Sequence, residues 1–524
     1  MEYLWKKEAN GDYIDFFAKV RDASMFGIWD NLLTENIQWL SDCEQFRKNN
    51  QTSLDYFDIG YRKYVVGNFS GALMSYNQSL CFAIPGSVNE SLAYGNRSKC
   101  FIKMKLYREA LTDIRLASRF QHSKRVSRRL NSQRIECEKQ LMLGLQIVNG
   151  TPKLDYPSDC NFSGMANVLE IRNNNEFGRH IVAKCNIDAG KVILVNDVFA
   201  SATTTASQLY CRNCNRTEQN LVPCPNCTHT MFCCGQKSIH QLECCTIFHV
   251  IGDTTLKLSI ETILMAIDMF PSIKELKKYI EKVLKENHVP KMAKDPMSRY
   301  GLFLKLTQSF EFERIYSSYQ AYTTLMALPK VNRLFNSKEM QTFLMHLTLH
   351  HHSIIPKNSF HHERFNRDWI WTDYIYDVMS LINHSCVPNV FNFSTSNEIG
   401  HCVTVKSIQE GEQIFINYLG NECKKSKDSR RKALKMWGFD CKCVRCEAPR
   451  RPSLRSNDDN KKIIVDPSFK YIMENCQKSY CRESNCDFGI RPKLKRECVQ
   501  ILQRFGHLVL TPEINFVRHC FTLH

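Results

Sequence analysis

The chain has 524 residues, long enough for two to four domains and not limited in core size. Its 43% apolar and 23% charged content reads as globular and water-soluble, and no window reaches the ~18 uninterrupted apolar residues of a membrane-spanning helix. The net charge of +17, from 70 Lys+Arg against 53 Asp+Glu, favours acidic partners, nucleic acid included. The basic residues are dispersed, however, and the short runs Lys124-Arg125…Arg128-Arg129 and Lys424-Lys425…Arg430-Arg431-Lys432 read as solvated faces.

The opening Met1-Glu2-Tyr3-Leu4-Trp5-Lys6-Lys7-Glu8 lacks the apolar centre of a signal peptide, so an intracellular chain with reduced thiols is expected. Residues 1 to about 50 carry only a weak amphipathic pattern. From Asp55 to about Leu141 the pattern is helical, broken at Gly67-Asn68 and Pro85-Gly86. Tyr64…Ala72…Tyr76…Leu80 and Phe101…Ala110…Ile114…Ala117 look alike, with the two alanines 38 residues apart. That spacing is close to a tetratricopeptide period with a short insertion. A helical tetratricopeptide-like arm over 1–150 is therefore expected.

Beyond Lys153 the texture turns to short β-type runs. His180-Ile181-Val182-Ala183 leads to Ile187-Asp188-Ala189-Gly190-Lys191-Val192-Ile193-Leu194. The same logic returns in Val403-Thr404-Val405 and Ile408-Gln409-Glu410-Gly411-Glu412-Gln413-Ile414-Phe415. Each reads as a hairpin turning at a glycine, and together they imply one β domain interrupted by large insertions. One insertion holds eight cysteines between Cys211 and Cys245. The other, about 253–355, is helical, with Ile273, Leu276, Ile280, Val283 and Leu284 on one face. Its histidines His346, His350, His351 and His352, with His361 and His362 beyond, lack metal-ligand spacing and read as packed or solvent-facing.

Clustered cysteines in a reducing compartment point to metal. Zinc takes four N/S ligands, and a C-x2-C turn presents two thiolates. Cys211-x2-Cys214 and Cys224-x2-Cys227 are such turns, followed by Cys233 and His240-x3-Cys244. The pattern resembles a MYND finger, which implies one zinc on Cys224, Cys227, His240 and Cys244. The other site would use Cys211, Cys214 and Cys233 but is incomplete, since the expected fourth cysteine is Lys237; either Cys234 or Cys245 substitutes, or the site is empty. Near the end, Cys441-x-Cys443-x2-Cys446 lacks one ligand, for which Cys386 is the natural donor.

In chain order, Gly178-Arg179-His180, the cysteine cluster, Asn358-Ser359-Phe360, Asn383-His384-Ser385-Cys386-x2-Asn389, Gly411-Glu412-x5-Tyr418 and Phe439-x-Cys441-x-Cys443-x2-Cys446 form a set. The set resembles the SET-and-MYND-domain protein lysine methyltransferases, and the helical arm resembles the fourth member's branch. The resemblance implies an α+β multidomain chain with a β-rich SET domain in which the Asn383 and Tyr418 segments cross in a pseudoknot. It implies the first part of that domain over 151–210, the finger over 211–245, a helical insertion over 246–355, the core over 356–420, a zinc segment over 421–450, and a linker with a short helical region over 451–524.

It further implies transfer of a methyl group from S-adenosylmethionine to a protein lysine in the cytoplasm and nucleus, without a membrane. Arg179, His180, Asn358, Asn383, His384, Tyr418 and Phe439 would bind the cofactor. Tyr418 would be catalytic, and Zn2+ would be held by the cysteine sets, Cys386 included. Partners would be a lysine-bearing protein substrate, histone or otherwise, and proteins met by the arm and finger; sequence-specific nucleic-acid binding is not expected. The rival reading is a recruiting scaffold or transcriptional corepressor with a vestigial SET domain.

Overall fold

The computed structural model describes residues 47–120, 123–144, 153–203, 208, 210–212, 220–233, 238–246, 252–286, 295–309, 315–366, 368–394, 399–420, 426–447, 462–480, 490–505, 513–514, 516–517 and 520. The chain opens with five helices: α1 (Asn50–Val65), α2 (Phe69–Phe82), α3 (Val88–Lys103), α4 (Tyr107–Ala117) and α5 (Lys124–Met142). Asn49, Asn68, Ser87 and Ser123 cap α1, α2, α3 and α5 by accepting backbone N–H bonds that the first turn leaves open. The breaks fall at Gly67 and Gly86, whose φ values of 79° and 81° suit glycine. Ala72 and Ala110 each occupy the fourth position of the second helix in a packed pair, and both are fully buried. Small residues there let the paired helices approach closely.

The β part begins with β1 (Leu169–Asn174), β2 (Gly178–Ala183), β3 (Val192–Asn196) and β4 (Ala200–Thr203). The cysteine-rich segment follows, with β5 (Val222–Pro223), β6 (Met231–Phe232) and α6 (Ser238–Glu243). Next comes a helical block: α7 (Thr254–Met269), α8 (Ile273–Lys285), α9 (Pro296–Leu304), α10 (Ile315–Ala327), α11 (Pro329–Leu334) and α12 (Lys338–Asn358). The β part then resumes with β7 (Ser359–Asn366), β8 (Asp368–Ile375), β9 (Asn383–His384), β10 (Val390–Ser394), β11 (Gly400–Thr404) and β12 (Phe415–Ile416). The last elements are α13 (Lys427–Leu434), α14 (Pro467–Tyr480) and α15 (Ile490–Phe505).

Strands from before the insertions pair with strands from after them. β3 joins β11 in the sheet β10-β11-β3, and β4 joins β8 in β4-β8-β7. The interrupted β domain expected from the sequence is therefore present. The two hairpins are not. β2 pairs with β1, and the two glycine turns dock on each other: Ile187 and Ile408 exchange both backbone bonds at 2.8 Å. Gly190 donates to Thr404 at 2.7 Å and Gly411 to Ala183 at 2.8 Å. Similar turns look locally self-paired in sequence, but long-range pairing satisfied the same backbone groups.

The helical block and the sheets share one core, with Leu258, Ile263 and Leu264 of α7 and Leu344 and Leu347 of α12 packed among Ile193, Tyr374 and Ile375. Each such side chain contributes roughly 1.5–3 kcal/mol when fully buried. The apolar face of α8 buries Ile273, Leu276, Ile280 and Val283 as the periodicity requires. His350, His351 and His352 are buried and bonded to Leu304 O, to Tyr300 and Thr262, and to Ser259 respectively. They are packed histidines, while His361 is exposed at the sheet edge, its Nδ1 2.5 Å from Asp373. Residues of α14 and α15 pack on Val192, Val403 and Val405 of the sheet. Among the described residues no helix is long and apolar enough to cross a membrane.

Candidate active site and metal centres

Two short segments meet at the centre of the β part. β9 and β12 run parallel, pairing Asn383 with Phe415 and His384 with Ile416. Asn389 fastens the pair. Its Nδ2 donates to Gln413 O at 2.8 Å, and its Oδ1 accepts from Phe415 N at 2.7 Å. Asn389 is thus a buried latch that fixes where the chain emerges at Tyr418.

Tyr418 lies two residues past β12. Its hydroxyl donates to the Ile382 carbonyl at 2.6 Å, and its backbone N–H donates to His384 Nδ1 at 3.0 Å. Burial pushes the phenol pKa up, so the hydroxyl keeps its proton at neutral pH. Burial pushes His384 down to about 4, leaving it neutral. With Nδ1 accepting, the ring proton sits on Nε2, which faces Cys386 Sγ at 3.4 Å.

Aromatic faces gather around Tyr418. The ring centroids of His384 and Trp437 are both 5.3 Å away, and that of Phe439 is 6.5 Å away, edge-on. Phe439 is 38% exposed, so one of its faces is open to a ligand. Trp437 was not among the residues singled out from sequence. Its signal was the aromatic pair in Trp437-Gly438-Phe439, and its Nε1 donates to Lys357 O at 3.1 Å, one residue before Asn358. Such π faces are suited to a cationic sulfonium centre.

Asn383 reaches across the site: its Nδ2 donates to Phe177 O at 3.0 Å, in the β1–β2 turn. That turn holds Arg179 and His180 at the start of β2. His180 is buried, its Nδ1 2.9 Å from Gly178 O. Arg179 has a buried Nη1 without a hydrogen-bond partner, and burial lowers its pKa to about 10. A cation held this way is suited to an incoming anion. Asn358 closes α12, and its Nδ2 donates to Thr307 O and Ile354 O at 2.8 and 2.6 Å. Its amide donors therefore tie the helical block together, leaving only Oδ1 for a ligand.

Cys386, Cys441, Cys443 and Cys446 form one cluster, with all four sulfurs within 4.8 Å of one another. Cys386 Sγ is 3.9 Å from Cys441 Sγ and 3.6 Å from Cys446 Sγ. Tetrahedral zinc at ~2.3 Å from each sulfur places them about 3.8 Å apart, so the set fits the ion. The buried Arg430 of α13 donates to Cys386 Sγ at 3.3 Å and Cys446 Sγ at 3.2 Å, offsetting thiolate charge.

Cys224, Cys227, His240 and Cys244 form the second cluster. His240 Nε2 lies 3.3 Å from Cys224 Sγ and 3.5 Å from Cys227 Sγ, while its Nδ1 faces Glu243 at 3.3 Å. Glu243 is held in turn by Arg212, which also pairs with Glu261. A carboxylate behind a metal-facing imidazole sets its tautomer and orientation. Cys245 Sγ lies 3.7 Å from Cys244 Sγ, beside this cluster. Cys211 is buried and Cys233 half-buried, while Cys214, Cys234 and Lys237 lie outside the described residues.

The finger does not stand alone. Arg97 of α3 makes a bidentate pair with Asp113 of α4, both bonds 2.7 Å, and donates to Asn77 Oδ1 and Leu221 O at 2.7 and 2.8 Å. Asn220 completes the seam by donating to Asp113 Oδ1 at 2.9 Å.

A SET domain family model matches residues 178–419. Over 538 residues the chain is 20% identical to Protein-lysine N-methyltransferase SMYD4 of Danio rerio, covering 83% of this chain and 70% of that protein. Over 107 residues it is 34% identical to Histone-lysine N-methyltransferase SMYD3 of Mus musculus, covering 19% of this chain and 23% of the relative. Over 79 residues it is 37% identical to Protein-lysine N-trimethyltransferase SMYD5 of Mus musculus, covering 14% and 18%. The chain carries a SET domain and is similar along most of its length to the SET-and-MYND-domain protein-lysine methyltransferase SMYD4.

Proposed function

We propose that the chain uses S-adenosylmethionine to methylate a lysine side chain of a protein substrate by in-line transfer. The observation that carries this reading is Tyr418: a protonated phenol at a strand junction, walled by the rings of His384, Trp437 and Phe439. When bound, S-adenosylmethionine supplies a methyl carbon on a cationic sulfonium. Arg179 offers Nη1 to the cofactor's carboxylate, Phe439 its exposed face to the purine, and the Asn383-His384 segment its backbone polar groups.

The chemistry needs position more than acid–base equipment. A lysine amine attacks only when neutral, against an unperturbed pKa of about 10.4. A channel walled by aromatic rings disfavours the ammonium through desolvation, and a nearby positive charge adds to that effect. The Tyr418 hydroxyl, anchored through its proton to Ile382 O, keeps lone pairs that accept from the amine and orient it. Backbone carbonyls in the junction can hold the methyl by CH···O contacts, each worth roughly 0.5–1 kcal/mol.

The test compares wild type with Tyr418→Phe, using methyl-tritiated S-adenosylmethionine and histones or total cell protein as acceptors. Unchanged cofactor affinity with lost transfer to lysine is the expected result. Equal transfer by both proteins removes Tyr418 from the role. Cofactor binding without transfer to any acceptor, in wild type, favours the scaffold reading.

A further inference from the structure

The finger carries a sulfur that its four-ligand cluster does not use. In sequence Cys245 reads as a substitute ligand beside Cys211 and Cys233, but among the described residues these three do not gather into a group that could hold an ion. Cys245 sits instead at the other cluster. Its Sγ lies 3.7 Å from Cys244 Sγ, closer than the 3.8 Å between Cys244 and its fellow ligand Cys224.

The backbone takes an unusual turn to put it there. Cys245 follows α6 at φ 63°, a left-handed conformation that only Lys105 shares among the described non-glycine residues. The side chain then lies over the Cys224-x2-Cys227 loop. Its thiol donates to Asn226 O at 3.4 Å, and Asn226 N donates to Cys224 Sγ at 3.4 Å. Cys245 is exposed, whereas Cys224 and Cys227 are buried and Cys244 is half-buried. A solvent-borne oxidant therefore meets Cys245 first.

Thiols elsewhere in the fold lack one or the other feature. Cys81, Cys100, Cys402 and Cys498 are buried, and burial pushes their pKa values up, which makes them poor nucleophiles. Cys160 is exposed and Cys185 half-buried, but neither contacts a second sulfur among the described residues.

We propose that Cys245 is an oxidant-sensitive modification site whose product is a Cys244–Cys245 disulfide. The Cys245 thiol takes one oxygen from hydrogen peroxide: an S–O bond forms, the O–O bond breaks, and the thiol proton leaves with the second oxygen as water. The Cys244 sulfur then attacks the Cys245 sulfur, forming the S–S bond and expelling hydroxide. Two electrons have passed from the sulfur pair to the peroxide. Cys244 is then no longer a thiolate donor, so the cluster keeps only Cys224, Cys227 and His240 and its hold on zinc weakens. Neighbouring Cα atoms are about 3.8 Å apart, below the roughly 4.4 Å at which disulfides usually begin. The bond is therefore strained and readily reduced, which makes the change reversible. Nothing in this chemistry depends on methyl transfer.

The test treats the zinc-loaded full chain with hydrogen peroxide and follows zinc release to a colorimetric chelator. Remaining thiols are then alkylated and tryptic peptides are weighed. Cleavage after Lys237 and Lys257 gives a peptide whose cysteines are Cys244 and Cys245 alone. In wild type this peptide is expected two hydrogens light and unalkylated, with zinc released, and a dithiol reductant with added zinc is expected to reverse both changes. Cys245→Ser keeps all four ligands, so its zinc content is expected to match wild type while peroxide-driven release slows about tenfold or more. Release from Cys245→Ser at the wild-type rate overturns the proposal. So does a wild-type chain that keeps its zinc, or one that loses it with both cysteines of the peptide still open to alkylation.

Discussion

The backbone N–H of Tyr418 donates to His384 Nδ1 at 3.0 Å, and the same ring turns its Nε2 to Cys386 Sγ at 3.4 Å. One imidazole thus connects the candidate catalytic residue to a four-cysteine cluster that could hold zinc. The cluster in turn anchors the segment that carries Trp437 and Phe439, so the cysteine site and the aromatic wall are joined through one stretch of chain.

The first expectation concerns Cys386. Cys386→Ser leaves Cys441, Cys443 and Cys446 without their fourth thiolate and removes the partner of His384 Nε2. Elemental analysis should show one zinc fewer per chain. Affinity for S-adenosylmethionine should fall by about tenfold or more, in line with lost metal-site support. Full zinc content would refute the ligand assignment.

At the finger, Glu243→Gln weakens the support behind His240 while leaving Arg212 its pair with Glu261. Zinc affinity at this centre should drop about 10–100-fold, seen as faster release to a colorimetric chelator. The Cys386 centre should release its metal at an unchanged rate. Unaltered release from both centres would remove Glu243 from this role.

The Arg97–Asp113 pair offers a stability test. Both side chains are buried, so Arg97→Met strands a carboxylate in the seam between arm and finger. The loss should be about 3–5 kcal/mol, read from denaturant midpoints. Arg97→Met with Asp113→Leu should cost less than the single change, because no buried charge is left unpaired. A double variant less stable than Arg97→Met would contradict this.

His350 and His351 give a pH dependence. Burial pushes His350 down to about 4 and His351 well below its ordinary value, so both stay neutral when folded. The unfolded chain binds protons at these positions near pH 6.5. Stability is therefore fully present above about pH 6.5 and is lost as pH falls towards 4, at roughly 1.4 kcal/mol per unit for each histidine. Urea midpoints at pH 7.5 and 5.5 check this, and His350→Gln, which removes one titrating group, should reduce the slope. A slope unchanged by His350→Gln would refute the assignment.

Much of the site was legible because its chemistry is written in short spacings. Cys386 with Cys441, Cys443 and Cys446, and Cys224, Cys227, His240 and Cys244, converge as the short C-x2-C spacings together with the family resemblance implied. The glycine turns were legible as turns, but not their pairing, since Ile187 and Ile408 are partners across 221 positions and local pattern carries no register. Asn389 and Trp437 went without a role because an amide latch and a wall residue look like ordinary turn and core residues in one sequence. The arm's docking on the finger was equally hidden: Arg97 and Leu221 meet across 124 positions, through a carbonyl that every residue possesses.

The most direct measurement is calorimetric titration of the purified, zinc-replete chain with S-adenosylmethionine. The expected result is saturable binding at one site per chain, weakened when Arg179→Ala removes the buried guanidinium. No detectable heat of binding at any temperature tried, from a folded and zinc-loaded protein, would contradict the methyltransferase reading.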